Sequence, residues 1–452
     1  MNQIARPLNS LLIKNALIVT MNQNREILRG NLLIDGDRIK SISQSEPEFE
    51  VDRVIDARGK VLIPGLIQAH VHLCQTLFRG QANDLELLDW LFTRILPLEG
   101  AHDPETLYCS AMLGIGELLQ SGTTAIIDME SVHHTEAAFQ AIVESGIRAV
   151  SGKCMIDHGE GLPESLMEKT DDSLQGSVDL LERWHGSGDG RLHYAFTPRF
   201  AVSCSEPLLV EVRNLAERYG VQIHTHASEN RSEVALVRSD RGMDNVAYLN
   251  HLGLTGSNLV LAHCIWVTDD EIRLLAQSAT NVVHCPSSNL KLASGIAPIP
   301  GMLEQGTHIA LGADGAPCNN NLDPFLEMRL AALIHKPRYG PTSMPARSVL
   351  ELATLGGAQA MGLDKEVGSL EVGKKADLAM INLEGIHCAP WDYTDIYGQL
   401  VYQAKASDVT LTVVDGRIVY EDGVLTTMDQ DSVIRQANHN LDRIKKKLPH
   451  LF

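Results

Sequence analysis

The chain has 452 residues, 44% of them hydrophobic and 21% charged, enough to bury a large core without disulfide or metal staples. Its 38 basic and 57 acidic side chains give a formal net charge of −19, which repels phosphate polyanions and argues against a nucleic-acid binder. That charge does not exclude a nucleobase or nucleoside entering a pocket.

No apolar run reaches the ~20 residues that span a bilayer, so no membrane partner is expected. The opening MNQIARPLNSLLIKNALIVTMN lacks the basic segment, unbroken apolar core and cleavage site of a signal peptide. Eight cysteines, at positions 74, 109, 154, 204, 264, 285, 318 and 388, are scattered without a CxxC pair and read as reduced core thiols. A cytoplasmic protein is expected.

Residues 1–64 read as short strands: LLIKNALIVTM, NLLIDGDRIKSIS and VLIPG are rich in β-branched residues and broken by Asp-Gly or Arg-Gly turns. The same style returns over 376–427 in ADLAMINL and VTLTVVDGRIVYEDGVL, and IDGDRIKSI resembles VDGRIVYE. Two such halves predict one small β-sandwich domain built from both chain ends. Between them, 65–375 changes rhythm. Eight apolar runs (LIQAHVHL, TTAIIDM, RAVSGKCMI, LHYAFTPRF, VQIHTHASE, NLVLAHCI, NVVHCP and HIALGADG) alternate with amphipathic stretches such as EPLLVEVRNLAERYG. This is the pattern of an α/β fold, a (β/α)8 TIM-like barrel. A doubly wound open sheet is the alternative, but its Gly-rich turn after the first strand is missing. Residues 428–452 read as a C-terminal helix whose RIKKK cluster complements the helix dipole.

Polar residues collect at the ends of these strands. His70 and His72 close the first, and their i, i+2 spacing turns both imidazoles to one side. His224 and His226 close the fifth, with Glu229 just beyond. His263 ends the sixth, His284 the seventh and Asp314 the eighth. Barrel strand ends converge on one rim, where barrel active sites lie. Imidazole and carboxylate gathered there suit Zn²⁺ or Fe²⁺. A purely structural cluster of desolvated imidazoles would need a partner for every ring nitrogen.

PGLIQAHVH, HTHASE, LAHC, SSNLKLASGIAP and LGADGAPCNNN resemble the amidohydrolase superfamily, and more narrowly its aminopurine and s-triazine deaminase and chlorohydrolase branch. The resemblance implies one divalent metal, zinc or else iron, held by His70, His72, His226 and Asp314. It implies Glu229 as the proton shuttle, Asp314 as the group that takes a proton from water, and His263 as a contact to water or substrate. His224 is expected to be a wall residue, and His284 is open between site and structure. Lys153 is not expected to bridge two metals.

The substrate side rests on two resemblances. TPRF, GKCMID, SENRSEV and the Gln after HxHxx are similar to guanine deaminases, in which Gln75, Arg199 and Phe200 would hold a purine ring. NLKLASGIAP, LGADGAPCNNNLDPFLEMRLAALIHK and ATLGGAQAMG look like deaminases of methylthioadenosine, S-adenosylhomocysteine and 5′-deoxyadenosine. There Glu99 would bind ribose hydroxyls, with Trp90 from the same LELLDWLFTRILPLE stretch beside it. That group often has His where this chain has Arg199. The balance favours a 5′-modified adenosine over guanine, an s-triazine or a pterin. A catalytically dead binding protein on the same barrel is the reading from a different class. Asn319 could face substrate or serve helix entry, Met328 and Trp184 read as packing, and a homo-oligomer is expected by resemblance.

Overall fold

The computed structural model describes residues 10–45, 50–390 and 394–452. The first nine residues, with the start of the stretch read for signal-peptide features, lie outside it. No helix among the described residues is long and apolar enough to cross a membrane. All eight cysteines are free and buried.

Eight parallel strands form the barrel: β1 (Leu66–His72), β2 (Thr123–Met129), β3 (Arg148–Gly152), β4 (Leu192–Pro198), β5 (Gln222–Ala227), β6 (Leu259–His263), β7 (Asn281–His284) and β8 (His308–Leu311). They pair in chain order. The ring closes where Asp314 and Gly315, just after β8, pair with Val71 and His72 of β1. Gly312 makes this closure possible, because a Cβ there would lie 2.9 Å from the backbone of His70. Small and β-branched residues fill the barrel, among them Ala69, Ala125, Ile127, Val150, Ala195, Val260, Val283 and Ala310.

The chain ends build one nine-stranded sheet. Ser10–Val19, Ile27–Asp35, Arg38–Ser43, Arg53–Asp56 and Lys60–Pro64 come from the N-terminal side, and Leu378–Asn382, Val409–Val414, Arg417–Glu421 and Val424–Leu425 from the C-terminal side. The seam is the antiparallel pair Lys60–Pro64 with Leu378–Asn382, in which Leu62 faces Met380. One face packs on itself through Leu11, Ile13, Ile18, Leu32, Met380 and Leu411, and the other, through Leu17, Val61, Ile63, Ala379 and Ile381, joins the core outside the barrel. The two Asp-Gly turns with similar sequence lie against each other. Gly416 sits at φ 74°, and a Cβ there would meet Gly36 O at 2.1 Å.

Buried charge fastens the sheet to the barrel. Arg148, at the start of β3, forks onto Asp377 at 2.8 and 3.0 Å and reaches Asp415 at 3.1 Å. The terminal helix Gln430–Lys447 is tied down at its basic end, where Arg443 and Lys447 reach Asp103 at 2.9 and 3.0 Å.

Candidate metal centre and active site

On β1 the pairing with β2 shifts register between Gln68 and Val71, and His70 and His72 both arrive inside the barrel. His72 Nδ1 donates to Met129 O at 2.9 Å and His226 Nδ1 donates to Arg199 O at 2.7 Å. A carbonyl can only accept, so each ring spends its proton on Nδ1. Burial, then the neighbouring His70, pushes both imidazoles below their usual pKa, His72 to about 3. Their bare Nε2 atoms face each other at 3.2 Å, and His72 Nε2 also lies 3.5 Å from Asp314 Oδ1. His70 Nε2 is fully buried without a hydrogen-bond partner, 3.3 Å from the same oxygen. Two bare imidazole nitrogens, the unpartnered His70 Nε2 and a carboxylate oxygen gathered at one point call for a cation among them. The donor atoms of His70, His72 and His226 lie within 4.8 Å of one another, as do those of His70, His263 and Asp314. This set fits a divalent metal.

Beside it stand the groups that can move protons. His263 Nε2 lies 3.4 Å from Glu229 Oε2 and 3.9 Å from Asp314 Oδ2. Burial, then the charge of Asp314, pushes the Glu229 carboxyl well above its usual range. His263 Nδ1 donates to Asn289 Oδ1 at 2.8 Å. Ser288 Oγ donates to Asp314 Oδ2 at 2.6 Å, and Gly315 N–H donates to Oδ1 at 2.7 Å. The loop that carries Glu229 is gathered by Glu233, which accepts from Glu229 N at 2.6 Å and from Ser228 N at 3.3 Å. His263 and Asp314 hold left-handed backbone angles, φ 75° and 64°, which side chains other than glycine seldom adopt.

These groups open onto a cavity at the end of the barrel. Its polar side is His72, His226, His263, Asp314, Glu229, Glu233 and Arg199, and its apolar side is Leu87, Trp90, Leu91, Phe200 and Leu292. Trp90 Nε1 is buried and unpartnered. Phe200 follows β4 and bridges to His226. Arg199 is bound to Glu99, with Nη1 3.0 Å from Oε2 and 3.3 Å from Oε1. Burial works against the Arg199 charge, but Glu99 together with Cys154 and Cys74 holds its pKa above the usual value. Gln75 Nε2 donates to Glu99 Oε1 at 2.8 Å. Arg199 therefore lines the cavity while Glu99 and Gln75 stand behind it.

The remaining sequence candidates separate cleanly. His224 contacts His70 at 2.8 Å. His284 lies away from the cavity wall beside His335, ring centroids 5.3 Å apart. Asn319 Nδ2 donates to Ala313 O at 2.7 Å and Glu327 Oε1 at 2.9 Å, so it holds the turn after β8. Lys153 pairs with Glu168. Met328 is core, and Trp184 packs against it. Ser288, Asn289 and Glu233 join the site without belonging to any strand-end pattern in the sequence. Glu233 had a local signal, the Asn230-x-x-Glu233 capping box that opens helix Arg231–Arg241. Ser288 and Asn289 had only their place inside the SSNLKLASGIAP phrase.

Residues 61–419 match the amidohydrolase family. A 5′-deoxyadenosine deaminase of Methanobrevibacter smithii is 38% identical over 97% of this chain and 99% of its own. A 5-methylthioadenosine/S-adenosylhomocysteine deaminase of Moorella thermoacetica is 37% identical over 96% of this chain and all of its own, 100%. Among solved structures, an adenosine deaminase of Xanthomonas campestris with bound zinc superposes with a TM-score of 0.90 at 32% identity, covering 96% of this chain and 98% of that one.

Proposed function

Because the chain belongs to the amidohydrolase family, we propose that it is a metal-dependent deaminase that releases ammonia from a 5′-modified adenosine. The observation that carries the reaction is the placement of Glu229, a carboxyl whose pKa burial and the Asp314 charge raise, beside His263 and Asp314 in the cavity that the donor set faces. Near full-length similarity to the two nucleoside deaminases supports the substrate class.

His70, His72, His226 and Asp314 would hold the metal, and zinc is the metal proposed. When bound, such a cation acts as a Lewis acid and lowers the pKa of water from about 15.7 towards about 7. Glu229 donates its proton to the ring nitrogen beside the amino-bearing carbon, which makes that carbon electrophilic. Asp314 accepts a proton from the attacking water through Oδ2, the oxygen that Ser288 orients. His263, between the two carboxyls, stabilises charge on the entering oxygen. The water oxygen bonds to carbon, the exocyclic C–N bond breaks, the proton held by Asp314 leaves with the nitrogen as ammonia, and the remaining hydroxyl proton passes to the Glu229 carboxylate as the product carbonyl forms. Phe200 offers a face for the purine and Trp90 an unused N–H. Leu87, Leu91 and Leu292 supply apolar wall. Such a wall favours a small uncharged 5′ group, 5′-deoxy or methylthio, over a zwitterionic amino-acid tail.

An ammonia-release panel on the zinc-loaded protein tests this with 5′-deoxyadenosine, methylthioadenosine, S-adenosylhomocysteine, adenosine and guanine. The highest kcat/KM is expected on the first two. Turnover of guanine with none of any nucleoside would overturn the reading.

A further inference from the structure

We infer that His224 is a positioning residue that fixes the proton arrangement of His70 and so presents His70 Nε2 to the metal. The inference rests on the reading above that His70 is a ligand, and it adds a residue outside the ligand set.

Two His-x-His pairs, one on β1 and one on β5, face each other across the barrel in two layers. In the upper layer the Nε2 atoms of His72 and His226 meet at 3.2 Å, each ring having spent its proton on a carbonyl. In the lower layer His70 Nδ1 meets His224 Nε2 at 2.8 Å, and His224 Nδ1 meets Val260 O at 3.2 Å. The direction of this chain of contacts follows from its far end. Val260 O accepts only, so His224 carries its proton on Nδ1. With Nδ1 as the donor, the neutral ring has Nε2 as its acceptor, and His224, completely buried, has only His70 Nδ1 opposite it. The 2.8 Å contact then needs His70 Nδ1–H as donor. His70 Nε2 is left as the bare, unpartnered atom that points at Asp314 Oδ1, 3.3 Å away.

The reverse arrangement fails physically. A proton on His224 Nε2 would set a bare Nδ1 against the Val260 carbonyl and move the His70 proton to Nε2, where it would occupy the position a cation needs. His72 and His226 take their orientation from backbone carbonyls. His70 takes it from a side chain, so here the orienting group can be exchanged by mutation. A ligand that loses such a partner typically binds metal about 10- to 100-fold more weakly.

The test compares His224→Gln with His224→Phe. The amide of Gln can accept from His70 and donate to Val260, whereas Phe fills the space without accepting. Zinc affinity is measured by competition with a chromogenic chelator, beside the thermal midpoint of each metal-free protein. We expect H224F to bind zinc about 10- to 100-fold more weakly, and H224Q to recover most of the loss at a similar metal-free midpoint. Wild-type affinity in H224F, or equal losses in both variants, would overturn the role. Ring-nitrogen NMR shifts of the metal-free wild-type protein, with the His224 signals assigned by their loss in H224Q, give a reading that does not depend on H224F folding. A proton on His224 Nδ1 with bare Nε2 supports the inference, and a proton on Nε2 refutes it. A wild-type protein that binds no metal would instead overturn the proposed function.

Discussion

Glu99 and Arg199 form a buried ion pair, 3.0 Å between Oε2 and Nη1, in which Arg199 lines the cavity beside the metal donors and Glu99 holds it from behind. Breaking such a pair from one side leaves an uncompensated charge where water cannot reach it. Glu99→Gln is therefore expected to destabilise the fold by about 3–5 kcal/mol, read as a lower thermal midpoint. The double variant Glu99→Leu with Arg199→Met should recover much of that loss. If E99Q melts like the wild type, the pair does not carry the wall.

Glu229→Gln should keep metal content at the wild-type level while kcat falls about 10²- to 10⁴-fold, the usual worth of a positioned proton donor. The wild-type pH profile should show the same group. Burial and the Asp314 charge raise its pKa, so the protonated, active form persists to higher pH than for an ordinary carboxyl. Activity should then fall as pH rises through that raised value, and E229Q should lack this alkaline limb. Near-normal turnover in E229Q would remove Glu229 from the mechanism.

Ser288→Ala takes away the donor to Asp314 Oδ2 and leaves the Gly315 contact on Oδ1. A hydrogen bond to a charged group contributes about 1.5–3 kcal/mol, so kcat should drop about 10- to 100-fold. Metal content should stay close to wild type, because Oδ1 is the oxygen nearest His70 and His72. Parallel loss of metal and activity would instead place Ser288 in support of the ligand set.

Exhaustive dialysis against a chelator should abolish ammonia release, and zinc should restore it. Because ligand bound to the folded state stabilises it, the loaded protein at 100 times its dissociation constant should gain about 2.7 kcal/mol. Calorimetry of the two forms checks this, and equal melting curves would contradict a site inside the folded barrel.

The strands and their terminal histidines were legible because a strand alternates with period two and a barrel brings strand ends to one rim. His70 and His72 could be placed on one side from spacing alone, and the Asp-Gly turns announced the split sheet. What spacing could not supply were contacts between distant elements. The Arg199–Glu99 pair depends on how the Leu87–Glu99 segment folds over the end of β4, and no local pattern encodes that approach. His224 looked like a wall residue because its partner lies 154 positions away in sequence. Ser288 and Asn289 act through single hydrogen bonds to residues 26 positions off, and short polar side chains of this kind look the same in any helix start.

The seam between Lys60–Pro64 and Leu378–Asn382 also sets an order of events during synthesis. Strands made first must wait for partners encoded more than three hundred codons later, while the entire catalytic domain emerges in between. Such distant pairing is slow because the loop must close before it is rewarded. The edge of the nascent N-terminal ribbon, with Leu62 and Ile63 still unpaired, is thus open to chaperones and to premature association until Leu378–Asn382 has emerged.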